Sequence, residues 1–205
     1  MTVVGITGKY CSGKSTVTSV LVDHGYHEID VDAVGHEALE ECADEVIATF
    51  GEEVRAGGRA AVDSTTKNRD IDRKALGRIV FSSKDRLREL EAILHPVMVR
   101  KVRDTVEELG RSESPSAGVA INAAILGRMG LDTLCDVILF VSAPFFARFR
   151  RARERDGVSF FDFVKRVASQ RDVATQFSSA NAEIKRVEND GDRRRLEEQL
   201  TSLLP

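Results

Sequence analysis

Gly8 to Ser15 reads Gly-Lys-Tyr-Cys-Ser-Gly-Lys-Ser, a glycine-spaced turn that ends on a lysine and a hydroxyl. Glycines at 8 and 13 permit backbone angles that bring successive N–H groups around an anion, with no side chain blocking the approach. The cradle so formed takes in Gly8, Lys9, Tyr10, Cys11, Ser12 and Gly13 and continues through Lys14, Ser15 and Thr16. Lys14 reaches the outer phosphates of a nucleoside triphosphate, and Ser15 offers a hydroxyl to Mg²⁺. A helix opening near Lys14 points its positive dipole end at the same anion. Cys11 reads as a small filler of the loop whose backbone N–H counts, rather than as a redox thiol.

Moving a phosphate onto a hydroxyl needs a group to orient or deprotonate that hydroxyl, and positive charge to hold the group in transit. "EIDVD" (28–32) supplies Asp30 and Asp32 at the end of an expected strand, where alternation puts both on one side. Spacing alone does not choose between them, and the bland role of either is capping the next helix. "RFRRARERDG" (148–157) places Arg148, Arg151 and Arg155 on one helical face. Glu154 and Asp156 dilute that charge, so the run by itself also fits a solvated face.

The elements that must position these residues follow from hydrophobic period and punctuation. "TVVGIT" predicts a buried strand over residues 2–7, and Val17, Val20 and Leu21 predict a helix that stops at Gly25. "YHEIDVD" predicts a second strand ending at Asp32. Residues 33–50 are helical in pattern, and 51–72 form a polar, glycine-containing connection. Helices are expected over 73–81 and 84–109, the second kinked or broken in two by Pro96. A loop over 110–118 leads to strands in "VAINAAIL" and "DVILFVSA". Pro144 suits the first turn of the following helix. A further helix over Phe160–Gln176, a weak strand at Ile184–Val187 and a closing helix complete the chain. Strands alternating with helices argue for an α/β fold with a parallel sheet covered on both faces.

At 205 residues, one buried core with small insertions is sufficient. A net charge of −3 gives no general attraction to nucleic acid or to an anionic membrane, so phosphate binding must come from local charge. Cys11, Cys42 and Cys135 have neither zinc-site spacing nor a disulfide framework. No leader and no apolar run of membrane-spanning length is apparent, so a cytoplasmic protein is expected.

The chain resembles the dephospho-coenzyme A kinase family along nearly its whole length. The resemblance is carried by "GITGKYCSGKSTV", "IDVDAVGHEAL", "IDRKALGRIVFSSKDRLRELEAILHPVMV", "RRARERDGVS", "RVASQ" and "ENDGDRRRLEEQL". It implies a P-loop NTPase fold with a five-stranded parallel sheet flanked by helices, a helical acceptor-binding region and a small lid. The implied core is 1–32, 117–143 and 177–205, with the acceptor region over about 33–116 and the lid over about 144–176. It further implies ATP as donor, Mg²⁺ as cofactor, and the ribose 3′-hydroxyl of dephospho-CoA as acceptor. By matching position, Asp32 is the base and Arg155 the lid arginine, with Arg151 beside it. Asn189 and Gly191 fall where the family positions adenine. His36, Asp72, Arg73 and His95 fall on the acceptor side, His95 being equally suited to fixing a helix break at Pro96. One departure stands out: "AAILGR" (123–128) replaces the usual "PLLFE", with Arg128 where a glutamate is expected. The alternative it leaves is a P-loop kinase for another small hydroxyl acceptor, such as a nucleoside, nucleotide or sugar. Monomer and homo-oligomer both stay open.

Overall fold

The computed structural model describes residues 1–57, 70–112, 116–169 and 182–204. The chain divides into two compact units, one of residues 1–30 with 105–205 and the other of residues 31–104.

The first unit is built on a five-stranded parallel sheet. Its strands are β1 (Thr2–Gly8), β2 (Tyr26–Asp30), β3 (Gly118–Asn122), β4 (Val137–Ser142) and β5 (Glu183–Glu188), in the order β2-β3-β1-β4-β5. β1 lies at the centre, with Ile6 level with Asn122 on one side and Gly8 level with Val141 on the other. Six of its seven residues are buried, which is why the run is apolar without alternation. The edge strands β2 and β5 are mostly exposed and correspondingly polar. Helix α1 (Lys14–Asp23) buries Val17, Val20 and Leu21 against Val4, Ile6, Leu139 and Val141 of the sheet. Each such side chain contributes about 1.5–3 kcal/mol relative to exposure, so the helix behind the glycine loop is anchored from below. Cys135 is buried next to β4, and burial, reinforced by Asp132 and Asp136, pushes its thiol up to about 12. It is therefore a poor nucleophile.

The second unit is helical. It contains α2 (Val31–Glu41), α3 (Ala43–Phe50), a 3-10 turn (Glu52–Val54), α4 (Arg73–Val80) and most of α5 (Lys84–Arg111). Leu39, Val46, Ile47, Phe50, Val54, Leu76 and Val80 form its core, with Leu87, Leu90, Ile93 and Leu94 of α5 packed against them.

Several expectations need correction. The second strand stops at Asp30, and Asp32 stands in the first turn of α2 rather than on a strand. Strand alternation therefore says nothing about its direction. The helical stretch 33–50 is two helices meeting at Cys42. α5 is not broken in two, because it runs continuously through Pro96. One missing backbone donor is outweighed by the apolar side chains that hold the helix before the proline and by buried Val102 after it. Pro144 precedes helix α6 (Phe145–Asp156) instead of opening its first turn. The helix expected over 160–176 is seen as α7 (Phe160–Ser169), and its remainder lies outside the described residues. So do residues 58–69 of the polar connection and residues 113–115 of the next loop. The closing helix is α8 (Arg193–Leu203), capped by the Asp192 side chain.

Candidate active site

The loop between β1 and α1 is held in shape by its own backbone and by helices from far along the chain. Ser12 N–H donates to Lys9 O at 3.1 Å, and the Thr16 and Val17 amides donate to Gly13 O at 3.1 and 3.2 Å. Gly13 has a left-handed backbone (φ +88°), and a Cβ there would lie 2.1 Å from Asn189 Nδ2. A Cβ on Gly8 would lie 2.2 Å from the Val141 carbonyl oxygen. Both positions admit only glycine, one for its φ and one for the approach of the neighbouring strand. Lys14 Nζ lies 3.4 Å from Gly8 O, folded back over the loop. Ser15 and Thr16 are exposed at the first turn of α1.

The arginine face of α6 is turned onto this loop. Arg148, 4% exposed, donates from Nε to Tyr10 O at 2.8 Å. Arg151 donates to Ser12 O at 3.2 Å and, through its other nitrogen, to the Asn189 O and Oδ1 atoms at 3.2 Å each. Asn189 is itself buried and donates to Gly13 O at 3.4 Å. Gly191 follows two residues on, and a Cβ there would meet Arg151 at 3.7 Å. Arg151, Asn189 and the loop thus form one bonded assembly. Burial lowers the Arg148 pKa, and among the described residues its Nη2 is a buried donor with no hydrogen-bond partner, as is the Ser12 hydroxyl oxygen. Buried polar atoms without partners are costly in an ordinary core and ordinary in a site shaped for a polar ligand. The loop, its backbone amides and the adjoining arginine charge fit a triphosphate.

Arg155 stands on the last turn of α6, with its guanidinium 5.5 Å from the centre of the Tyr10 ring. Asp156 accepts two hydrogen bonds from it, each 2.9 Å long. Asp156 also accepts from the Tyr10 hydroxyl, which in turn accepts from Arg166 at 2.8 Å. The Arg155 guanidinium, followed by the Tyr10 hydroxyl, holds the Asp156 carboxyl well below the usual carboxylate range. Burial first, and then the Asp156 hydrogen bond, raise the Tyr10 phenol. Sequence reasoning took Asp156 for a dilution of the positive run and did not single out Arg166. No local pattern joins Tyr10 to residues 146 and 156 positions away.

Asp32 and the residues expected on the acceptor side belong to the helical unit. Asp32 and His36 are exposed on α2. Asp72 caps α4, its carboxylate accepting from the Lys74 and Ala75 amides at 2.9 and 3.1 Å. Arg73 pairs with Glu40 of α2 at 3.5 Å, and half-buried His95 precedes Pro96 within α5. Asp30, the other carboxylate of the pair, ends β2 level with Asn122 in the sheet unit. In "AAILGR", Ala123 donates its amide to Ile6 O at 3.0 Å and Leu126 is fully buried, while Arg128 is exposed.

Gly13→Ala tests the loop directly. A left-handed alanine costs about 1–2 kcal/mol, and the added carbon also displaces Asn189 from the Gly13 carbonyl. ATP affinity is expected to fall by about tenfold or more, measured by calorimetric titration, with a lowered melting temperature. Unchanged affinity would mean that the loop geometry does not govern nucleotide binding.

The family model for dephospho-CoA kinase matches residues 2–193. A dephospho-CoA kinase of Geobacter metallireducens is 35% identical over 99% of this chain and 95% of its own. One of Treponema denticola is 30% identical, covering 91% of this chain and 81% of that protein. Among solved structures, TT1252 from Thermus thermophilus superposes with a TM-score of 0.75 and 33% identity, over 98% of this chain and 95% of that one.

Proposed function

Because the chain belongs to the dephospho-CoA kinase family and carries out the ATP-dependent phosphorylation of dephospho-CoA in coenzyme A biosynthesis, we propose a division of labour among its residues. The glycine loop, Gly8 to Thr16, binds the triphosphate through its amides, with Lys14 on the outer phosphates. Asp32 takes the proton of the ribose 3′-hydroxyl as its oxygen attacks the γ-phosphorus. The bond from that phosphorus to the β–γ bridging oxygen breaks, and ADP leaves with the electron pair. Arg155 lies against the transferring group, where charge spreads over the equatorial oxygens. Arg151 and Asn189 keep the loop in shape and, with Gly191, border the nucleoside end. His36, Asp72, Arg73 and His95 serve the acceptor side, Asp72 also as the cap of α4.

The Ser15 hydroxyl would hold Mg²⁺, which binds preferentially through few protein oxygens together with substrate phosphates. When bound, the ion neutralises charge on the β- and γ-oxygens. In domain terms, residues 1–32, 117–143 and 177–205 are the nucleotide core, about 33–116 the acceptor region, and about 144–176 the lid. No helix among the described residues is long and apolar enough to cross a membrane, which is consistent with a cytoplasmic enzyme acting on a small molecule.

The observation that carries this reading is the loop clamped between β1 and the arginine face of α6, with Arg151 bridging Ser12 and Asn189. The test is ADP release in a coupled assay. Turnover is expected to depend on dephospho-CoA and to exceed that on adenosine or nucleoside monophosphates. Preference for one of the latter would overturn the acceptor assignment.

A further inference from the structure

Tyr10 is part of the glycine loop by position, and its side chain packs against α6 and α7. Two guanidinium groups lie over its ring, Arg155 and Arg166, each 5.5 Å from the centroid. Like charges placed on a shared ring repel unless an anion separates them. That anion is Asp156, with two hydrogen bonds from Arg155, one from the Tyr10 hydroxyl, and Arg166 at 3.7 Å. The ring itself is fixed from behind. Arg148 holds the Tyr10 carbonyl, and buried Phe163 of α7 lies 6.1 Å from the ring centre. Each arginine is therefore restrained by the face of the ring, the carboxylate and its own helix, and Arg166 also by its hydrogen bond to the Tyr10 hydroxyl.

We propose that Tyr10 and Asp156 are positioning residues for phosphoryl transfer, setting Arg155 and Arg166 beside the glycine loop as a paired cationic arm. Exposed arginine side chains lose about 2 kcal/mol of rotamer freedom when held in one geometry. Here the ring and the carboxylate impose that order before substrate arrives, so less is lost in the transition state. The inference rests on the assignment of Arg155 to the transferring group, and it adds Tyr10, Asp156 and Arg166 to that function.

The test compares Tyr10→Phe, Asp156→Asn, Asp156→Glu, the double variant Tyr10→Phe/Asp156→Asn, and Arg155→Ala, with kcat from ADP release and ATP affinity from calorimetry. Tyr10→Phe keeps the ring and the packing and removes only the hydroxyl, so it reports on positioning even if Asp156→Asn folds poorly. Both single variants are expected to lose about tenfold or more in kcat while ATP affinity stays within about twofold. The double variant is expected to be no worse than Asp156→Asn alone, because both act through one network. Asp156→Glu is expected to recover part of the loss. Wild-type kcat in both single variants, losses that multiply in the double variant, or ATP affinity falling in step with kcat would each overturn the proposal. Impaired Arg155→Ala with intact Tyr10→Phe and Asp156→Asn rejects the positioning role alone. Intact Arg155→Ala rejects the assignment beneath it.

Discussion

Asp32→Asn is expected to bind ATP within about twofold of wild type and to lose about 10²–10⁴ in kcat, the range for removing a general base. The carboxamide keeps the size of the carboxylate and still accepts a hydrogen bond, but it takes up no proton at neutral pH. The nucleotide loop is formed by a different set of residues, Gly8 to Thr16 with Arg151 and Asn189, none of which the substitution alters. Asp32 is exposed in the first turn of α2, where an acidic side chain also favours the helix dipole. That contribution is only about 0.3–1 kcal/mol, too small to unfold the protein and too small to imitate a catalytic loss of this size. Steady-state kinetics on dephospho-CoA together with calorimetry on ATP separates the effects. Asp30→Asn is the control, since Asp30 ends β2 two residues earlier. A large loss at Asp30 with wild-type kcat at Asp32 would transfer the role of base to the strand end.

The glycine loop was legible because its chemistry is local. Glycine spacing, lysine and serine lie within eight residues, and the flanking strand and helix announce themselves by apolar run and helical period. β1, β3 and β4 were legible for a related reason, as buried parallel strands have no polar face to interrupt them. Asp30 stands at the strand end as expected, whereas Asp32 was misplaced. The chain turns from strand to helix between them, and "DVDAVG" contains no glycine or proline before Gly35 to mark the change. The course of α5 through Pro96 depends on apolar neighbours that secure it against the rest of the helical unit, which a breaker rule does not weigh. The environment of Arg155 was the least legible part. Asp156 beside it looked like charge dilution until the fold brought Tyr10 from the other end of the chain. The resemblance to a kinase family selected Asp32 and Arg155 among open alternatives. It carried no sign that Tyr10 lies beneath the arginines.

Arg155→Ala is expected to lower kcat by about 10³ or more, the scale for an arginine that stabilises a transferring phosphoryl group, while the KM for dephospho-CoA moves far less. The argument turns on the contrast with Arg151, four residues earlier on the same helix. Arg151 spends its nitrogens on Ser12 and Asn189 and belongs to the frame of the loop. Its loss should weaken ATP binding. Arg155 has a side chain 64% exposed and bonds Asp156 through Nε and Nη2, so it carries charge at the surface rather than supporting the loop. Removing it leaves the Arg151 and Asn189 hydrogen bonds to the loop in place, and ground-state binding of ATP should survive. Interactions made only in the transition state lower kcat and kcat/KM together. A rise in KM with kcat preserved would instead make Arg155 a plain binding group. Arg155→Lys sharpens the distinction. Lysine restores the charge but cannot offer two parallel hydrogen bonds to Asp156 or stack flat on Tyr10. If placement matters as much as charge, lysine recovers only a small part of the lost kcat. Full recovery would mean that positive charge near the loop is sufficient, wherever the carboxylate and the ring hold it.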